Sequence, residues 1–217
     1  VRALNEFGCS VAISADGSRL VAGARYDDPQ RGVNAGTARV FLRTGTTWAG
    51  EATLVDSLGD GGDQFGRAVA ISGDGLRVIA GAPSDESGAI ILVGSATIFS
   101  RASGSWTTEA SLRDAVPELQ DLFGFSVDLG SDGSRALVGV GGDTTLAAGF
   151  NAGSGRIYVR TGTTWALESS LLLPDARGND ALGMSGSLSA DGARALLGMG
   201  NSFSSRLRFS MAPRDAG

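Results

Sequence analysis

Histidine and lysine are absent from this chain, and cysteine occurs once. Without imidazole there is no His general base, no Ser–His nucleophile pair and no His metal site. The lone Cys9 cannot close an internal disulfide. Beside an apolar strand pattern it reads as a buried small residue, not as a reactive thiol. No apolar run approaches the roughly 20 residues that a membrane-spanning helix needs, so a soluble segment without membrane insertion is expected. No basic-then-apolar leader follows Val1. With 18 basic and 23 acidic residues the formal charge is −5, and every basic residue is Arg. An acidic surface repels phosphate backbones, so nucleic acid is not an expected partner.

Glycine, by contrast, is abundant at 34 residues, while hydrophobic residues make up 42% and aromatics 6%. Many glycines between short apolar runs indicate short strands joined by tight turns, which is neither a helical protein nor a disordered linker. The length of 217 residues suits one large all-β domain.

The chain repeats itself. Phe7-Gly8, Phe65-Gly66, Phe123-Gly124 and Leu182-Gly183 stand 58, 58 and 59 residues apart. Each is followed in phase by an Asp-Gly pair (Asp16, Asp74, Asp132, Asp191) and an Arg (Arg19, Arg77, Arg135, Arg194). A Gly then recurs at Gly23, Gly81, Gly139 and Gly198, and Trp48, Trp106 and Trp165 mark the later part of the first three units. The expected repeats are residues 7–64, 65–122, 123–181 and 182–217, the last one incomplete. Such a period is the signature of a repeat architecture.

Each unit parses into four strands. The first, Ser10–Ser14 and its counterparts, alternates with period two. Asp-Gly then supplies a hairpin turn. The second strand, Arg19–Ala24 in the first unit, is continuously apolar, as for a strand covered on both faces. The third strand is Ala38–Arg43, matched by Ala96–Arg101, Arg156–Arg160 and Leu207–Ser210. The fourth, Trp48–Leu54 and equivalents, places Glu51, Glu109 and Glu168 opposite the Trp face, where an exposed charge would discourage edge-to-edge aggregation. Four antiparallel strands per unit is the arithmetic of a β-propeller blade.

The residues Phe65-Gly66 and Gly81-Ala82-Pro83 resemble the FG-GAP repeat of integrin-α-like propellers. The resemblance implies a ring, usually of seven four-stranded blades, and extracellular or cell-surface binding or adhesion at the loop face. Repeats of that family often carry a DxDxDG calcium loop between the first two strands. Here the corresponding turns hold a single Asp, which cannot supply the 6–8 oxygens calcium prefers, so no calcium is expected in them.

The loops that vary most run between the second and third strands: Arg25–Thr37, Pro83–Ser95 and Gly141–Gly155. Recognition in repeat proteins is usually placed on such loops. Tyr26, Asp27, Asp28, Asp85, Glu86 and Asp143 are therefore the candidate ligand-binding residues. Solvated acidic loops are the plain alternative, and a calcium ion seeded by Asp27-Asp28 the sharper one; no other cofactor or metal is expected. The apolar stretch Ala89–Val93 is expected to pack on a neighbouring loop. Asp63, Asp121 and Asp180 recur in phase, with Asp60 nearby, and read as acceptors for local backbone amides.

A residue copied into every unit is expected to be structural, and no unrepeated acid–base cluster or nucleophile motif is present, so a non-enzymatic role is expected. The leading expectation is a binding or adhesion module for a protein or glycan ligand. The alternative is a structural array beside a catalytic domain outside this chain. Only six residues precede Phe7, too few to supply the strand missing from the fourth unit. Closure is expected from the remainder of a longer chain, from a second copy in a homo-oligomer, or as an irregular four-bladed monomer.

Overall fold

A computed structural model describes residues 5–29, 32–144 and 149–200, and the backbone alone of 208–210. All of its regular structure is strand, and no described helix is long and apolar enough to cross a membrane. The first sheet runs β1 (Phe7–Ile13), β2 (Arg19–Ala24), β3 (Thr37–Thr44) and β4 (Thr47–Leu54) in that order. The second repeats it with β5 (Ala68–Ile71), β6 (Arg77–Ala82), β7 (Ser95–Ala102) and β8 (Ser105–Leu112). The third comprises β9 (Phe123–Leu129), β10 (Arg135–Val140), β11 (Ser154–Thr161) and β12 (Thr164–Leu171). The fourth contains β13 (Leu182–Leu188), β14 (Ala195–Met199) and β15 (Arg208–Ser210). All pairings within the sheets are antiparallel. The fold is thus a β-propeller array of antiparallel blades. Of the third strand expected at Leu207–Ser210, Leu207 lies outside the described residues.

Each blade packs face to face on the next, and three separate cores fill the gaps. Between the first two blades, Val21, Val40 and Leu54 meet Phe65, Val69, Ile71 and Val78. Ile79, Ile98 and Leu112 then meet Phe123, Val127 and Val138, and Leu137, Ile157 and Leu171 meet Leu182 and Leu197. Trp106 and Trp165 pack on the first and second of these cores, in the blade-packing role their recurrence suggests. Trp48, their counterpart in the first blade, is 37% exposed, and no described blade packs on it.

The paired glycines mark where the blades touch. A Cβ on Gly23 would lie 1.9 Å from the Gly66 carbonyl oxygen, one on Gly81 1.9 Å from that of Gly124, and one on Gly139 2.0 Å from that of Gly183. The glycine after each Phe or Leu also has positive φ, between 83° and 95° across the four copies. In the first, third and fourth blades it lies in a bulge at the start of the first strand, whereas the second blade's first strand begins at Ala68, after it. Backbone bonds also run from blade to blade at the Asp-Gly turns: Ala15 N to Gly73 O, Gly73 N to Ser131 O, and Ser131 N to Ala190 O.

Two expectations are overturned, the first in part. Glu51, Glu109 and Glu168 lie on edge strands, but only Glu168 is an exposed charge; each is the extra residue of a β-bulge in the fourth strand, which breaks the alternation. Glu51 binds Arg19 of its own blade (3.0 Å) and Arg101 of the next (2.8 Å), and accepts from Trp106 Nε1 (3.2 Å). Glu109 likewise binds Arg77 (3.0 Å) and Arg160 (2.7 Å). Burial would raise the carboxyl of Glu109, but its two arginines hold it below the ordinary range. Among the described residues Glu168 pairs with Arg135 alone, and it is the most exposed of the three, at 30% of its side chain. Cys9, in turn, is exposed rather than buried, with Sγ 3.4 Å from the Gly66 carbonyl.

Candidate binding face and its acidic cluster

Up-and-down strand order sends every β2–β3-type loop and every link between blades to the same end of the array. The two sets of loops are laced together by the backbone. Gln64 and Phe65 donate to the carbonyls of Asn34 and Ala35, Leu122 and Phe123 to Leu92 and Val93, and Ala181 and Leu182 to Asn151 and Ala152. The opposite end holds the Asp-Gly turns, whose carboxylates are committed locally. Asp16 accepts from Ser14 Oγ (2.7 Å) and the Ser18 amide (2.9 Å), and the Ser14 hydroxyl foremost lowers its pKa to about 2.

Of the six candidate residues, Asp27, Asp85 and Asp143 prove to be one position in three blades, each 58 residues after the last. Each accepts through its main chain from the glycine that opens the following strand: Gly36, Gly94 and Gly153. Their side chains hold the loop to the sheet. Asp27 accepts from Asn5 Nδ2 (2.5 Å), Thr37 Oγ1 (2.9 Å) and Arg39 Nη2 (2.8 Å). Burial pushes Asp27 up, yet Arg39 and Thr37 bring it below its ordinary value. Asp85 is 4% exposed and pairs with Arg113 Nη2 (2.5 Å); burial dominates and raises its pKa. Asp143 accepts from Ser154 Oγ and from Arg156 Nη2 (3.0 Å), and the same guanidinium reaches Asp114 at 2.7 Å.

Of the other three, Asp28 is exposed and Tyr26 and Glu86 are half-buried. The Arg25 guanidinium sits 4.6 Å over the Tyr26 ring. Asp28 accepts the Asn34 amide at 2.8 Å. The Glu86 main-chain carbonyl accepts from Arg113 Nη1 (3.1 Å). The structure therefore does not gather the six residues into one site; it distributes them over successive blades.

Asp63, Asp121 and Asp180 accept the amides of Asp60 (2.7 Å), Glu118 (2.6 Å) and Arg177 (2.8 Å), which is the local backbone role expected of them. Asp63 and Asp121 are each 2% exposed, and one oxygen of each, Oδ1, is buried without a hydrogen-bond partner. Burial raises Asp63 to about 7 and Asp121 to about 6. In the second blade, one carboxylate oxygen from each of Asp60, Asp63 and Glu86 lies within 4.8 Å of the other two. The loop–link pairing brings these residues together from 26 positions apart, counted from Asp60 to Glu86. The signal that could have found them is that acids occupy all three in-phase positions, two before and one after the Phe-Gly pair, only around Phe65-Gly66.

Apolar side chains crowd the same end. Val33, Ile90, Ile91 and Phe150 in the loops are 69%, 37%, 56% and 53% exposed. Leu58, Val116 and Leu119 in the links are exposed as well. Within Ala89–Val93, only Val93 is fully buried; the stretch joins the neighbouring link through its main chain while Ile90 and Ile91 face out.

Residues 1–41 and 48–99 match the family model of the FG-GAP repeat, so the first two blades carry this repeat as their Phe-Gly and Gly-Ala motifs suggest. No curated protein matches the chain. Among solved structures the chain is similar to the crystal structure of TolB from Acinetobacter baumannii, at 13% identity and a TM-score of 0.48. The match covers 90% of this chain but 38% of that one.

Proposed function

We propose that this array of FG-GAP-type blades is a non-catalytic binding or adhesion module. It works outside the cell and takes a protein or glycan ligand on its loop end. The observation that carries the reading is the contrast between the two ends. At the turn end the same Asp-centred turn is rebuilt in blade after blade. At the loop end the copies diverge, and exposed apolar side chains such as Val33, Ile91 and Phe150 stand among acidic ones. Apolar groups clustered at one exposed end mark an interaction surface more often than a solvated one. Fold does not choose the ligand; the loop end must.

A glycan and protein array probed with the whole chain, with and without calcium, tests this. Binding that is lost on Ile91→Ser together with Phe150→Ser, with the far-UV spectrum unchanged, is the expected outcome. Absence of binding in both conditions would favour a purely structural array serving another domain.

A further inference from the structure

We propose that Asp60, Asp63 and Glu86 form a calcium site at the loop end of the second blade. This goes beyond the ligand-binding reading and does not depend on it. The three side chains each bring an oxygen within 4.8 Å of the other two. Three oxygens so spaced have a common point no more than about 2.8 Å from each, so slight side-chain adjustment brings all three to the roughly 2.3–2.6 Å of a calcium shell without rearrangement of the loops.

The second observation is Asp63 itself. Its Oδ2 is engaged by the Asp60 amide at 2.7 Å, whereas Oδ1 is buried and has no hydrogen-bond partner, in a residue only 2% exposed. A carboxylate oxygen in that state has lost its water without replacement, which is costly unless a proton or a cation completes it. The cation already nearby is otherwise engaged: Arg113 binds the Asp85 carboxylate and the Glu86 main-chain carbonyl. Asp60 is exposed and Glu86 half-buried, so the site is open on one side to the waters that would fill the remaining coordination positions.

The repeat supplies the comparison. At the Asp60 position the third blade has Glu118 and the fourth Arg177; at the Glu86 position the first has Asp28 and the third Thr144. The third blade keeps the orphaned oxygen, on Asp121, but Thr144 leaves it without a third carboxylate. Only the second blade combines all three acids. The donors are all hard oxygens with no thiolate or imidazole, which suits calcium or magnesium over zinc or copper. Donors from two irregular loops, one of them a Glu able to bind through both oxygens, suit calcium's flexible shell better than magnesium's strict octahedron.

Calorimetric titration of calcium chloride into the intact chain tests the assignment directly, with no other ligand present. One saturable site is expected, with magnesium at least about tenfold weaker. Glu86→Gln and Asp60→Asn should each weaken calcium by about tenfold or more, while Glu118→Gln leaves it unchanged. Asp60 is exposed and Glu86 half-buried, so both variants are expected to fold, and the far-UV spectrum verifies it. Absence of saturable binding by the unmodified chain overturns the proposal. So does binding untouched by both substitutions, or magnesium binding as tightly as calcium. The array experiment with loop variants would be unaffected by such a failure, because the exposed apolar residues it alters are not cation ligands.

Discussion

At the scale of single residues, the glycines of the repeat have opposite kinds of necessity. Gly124 must accept φ of +86°, which an L side chain rarely adopts. Gly81 has no such backbone demand; it is required because the next blade's Gly124 carbonyl sits where its Cβ would be. Gly81→Ala is therefore expected to destabilise the chain by about 3 kcal/mol, the upper range for forcing an atom into a packed interior. Gly198→Ala should cost much less, because the nearest obstacle there is the Ser185 hydroxyl, which can rotate away. Urea unfolding of the two variants side by side checks the contrast, and equal losses would refute the account. The Asp27, Asp85 and Asp143 series teaches a complementary point. Their common spacing is visible in the sequence, and it marks them as loop anchors before any contact is known. What spacing does not reveal is which arginine does the anchoring: Arg39 and Arg156 share one third-strand position, whereas the second blade has Thr97 there and Arg113, just past its fourth strand, takes the role.

Among the elements, the fourth strands carry the least expected feature. Alternation alone places Glu109 on the outer face; the bulge opposite Ile98 and Phe99 turns it toward Arg77 and Arg160. A single unpaired residue inside a strand shifts everything on one side of it, and composition leaves no trace of that shift. The resulting clasp ties the second blade to the third. Glu109→Gln should lower stability by about 2 kcal/mol, between the values for exposed and buried ion pairs. Glu168→Gln, with one arginine and a more exposed side chain, should change stability by less than about 1 kcal/mol. Thermal or urea melts of both variants decide it, and a larger loss at Glu168 would remove the clasp as an explanation.

For the whole molecule, the first blade shows what a face looks like when no described blade covers it. Val11 and Ile13 are 68% and 60% exposed, whereas their counterparts Val69 and Ile71 are 6% and 8% exposed beneath the preceding blade. Phe7 is also exposed, although Phe65 and Phe123 are fully buried. Covering such side chains contributes about 1.5–3 kcal/mol each, a strong drive to add a blade. Arg43 turns back to its own Gly45 carbonyl at 2.8 Å, while its equivalents Arg101 and Arg160 reach the Glu of the blade before. We expect the purified chain to self-associate through this face, with a mass above that of one chain by light scattering. Val11→Asp with Ile13→Asp should return it to a monomer; a strict monomer from the start would rule out closure by a second copy.

The sequence by itself determines the repeat, the four-stranded blade and the location of the turns, because these follow from local periodicity and from residues that tolerate unusual backbone angles. It also shows that the loop end is where the copies differ. The tertiary structure alone decides which residues meet across blades: Gly81 under Gly124, Glu109 between two arginines, and Asp60 and Asp63 beside Glu86. Those meetings depend on how successive sheets stack and where bulges shift them. Such distances between separate blades have no counterpart in the spacing along the chain.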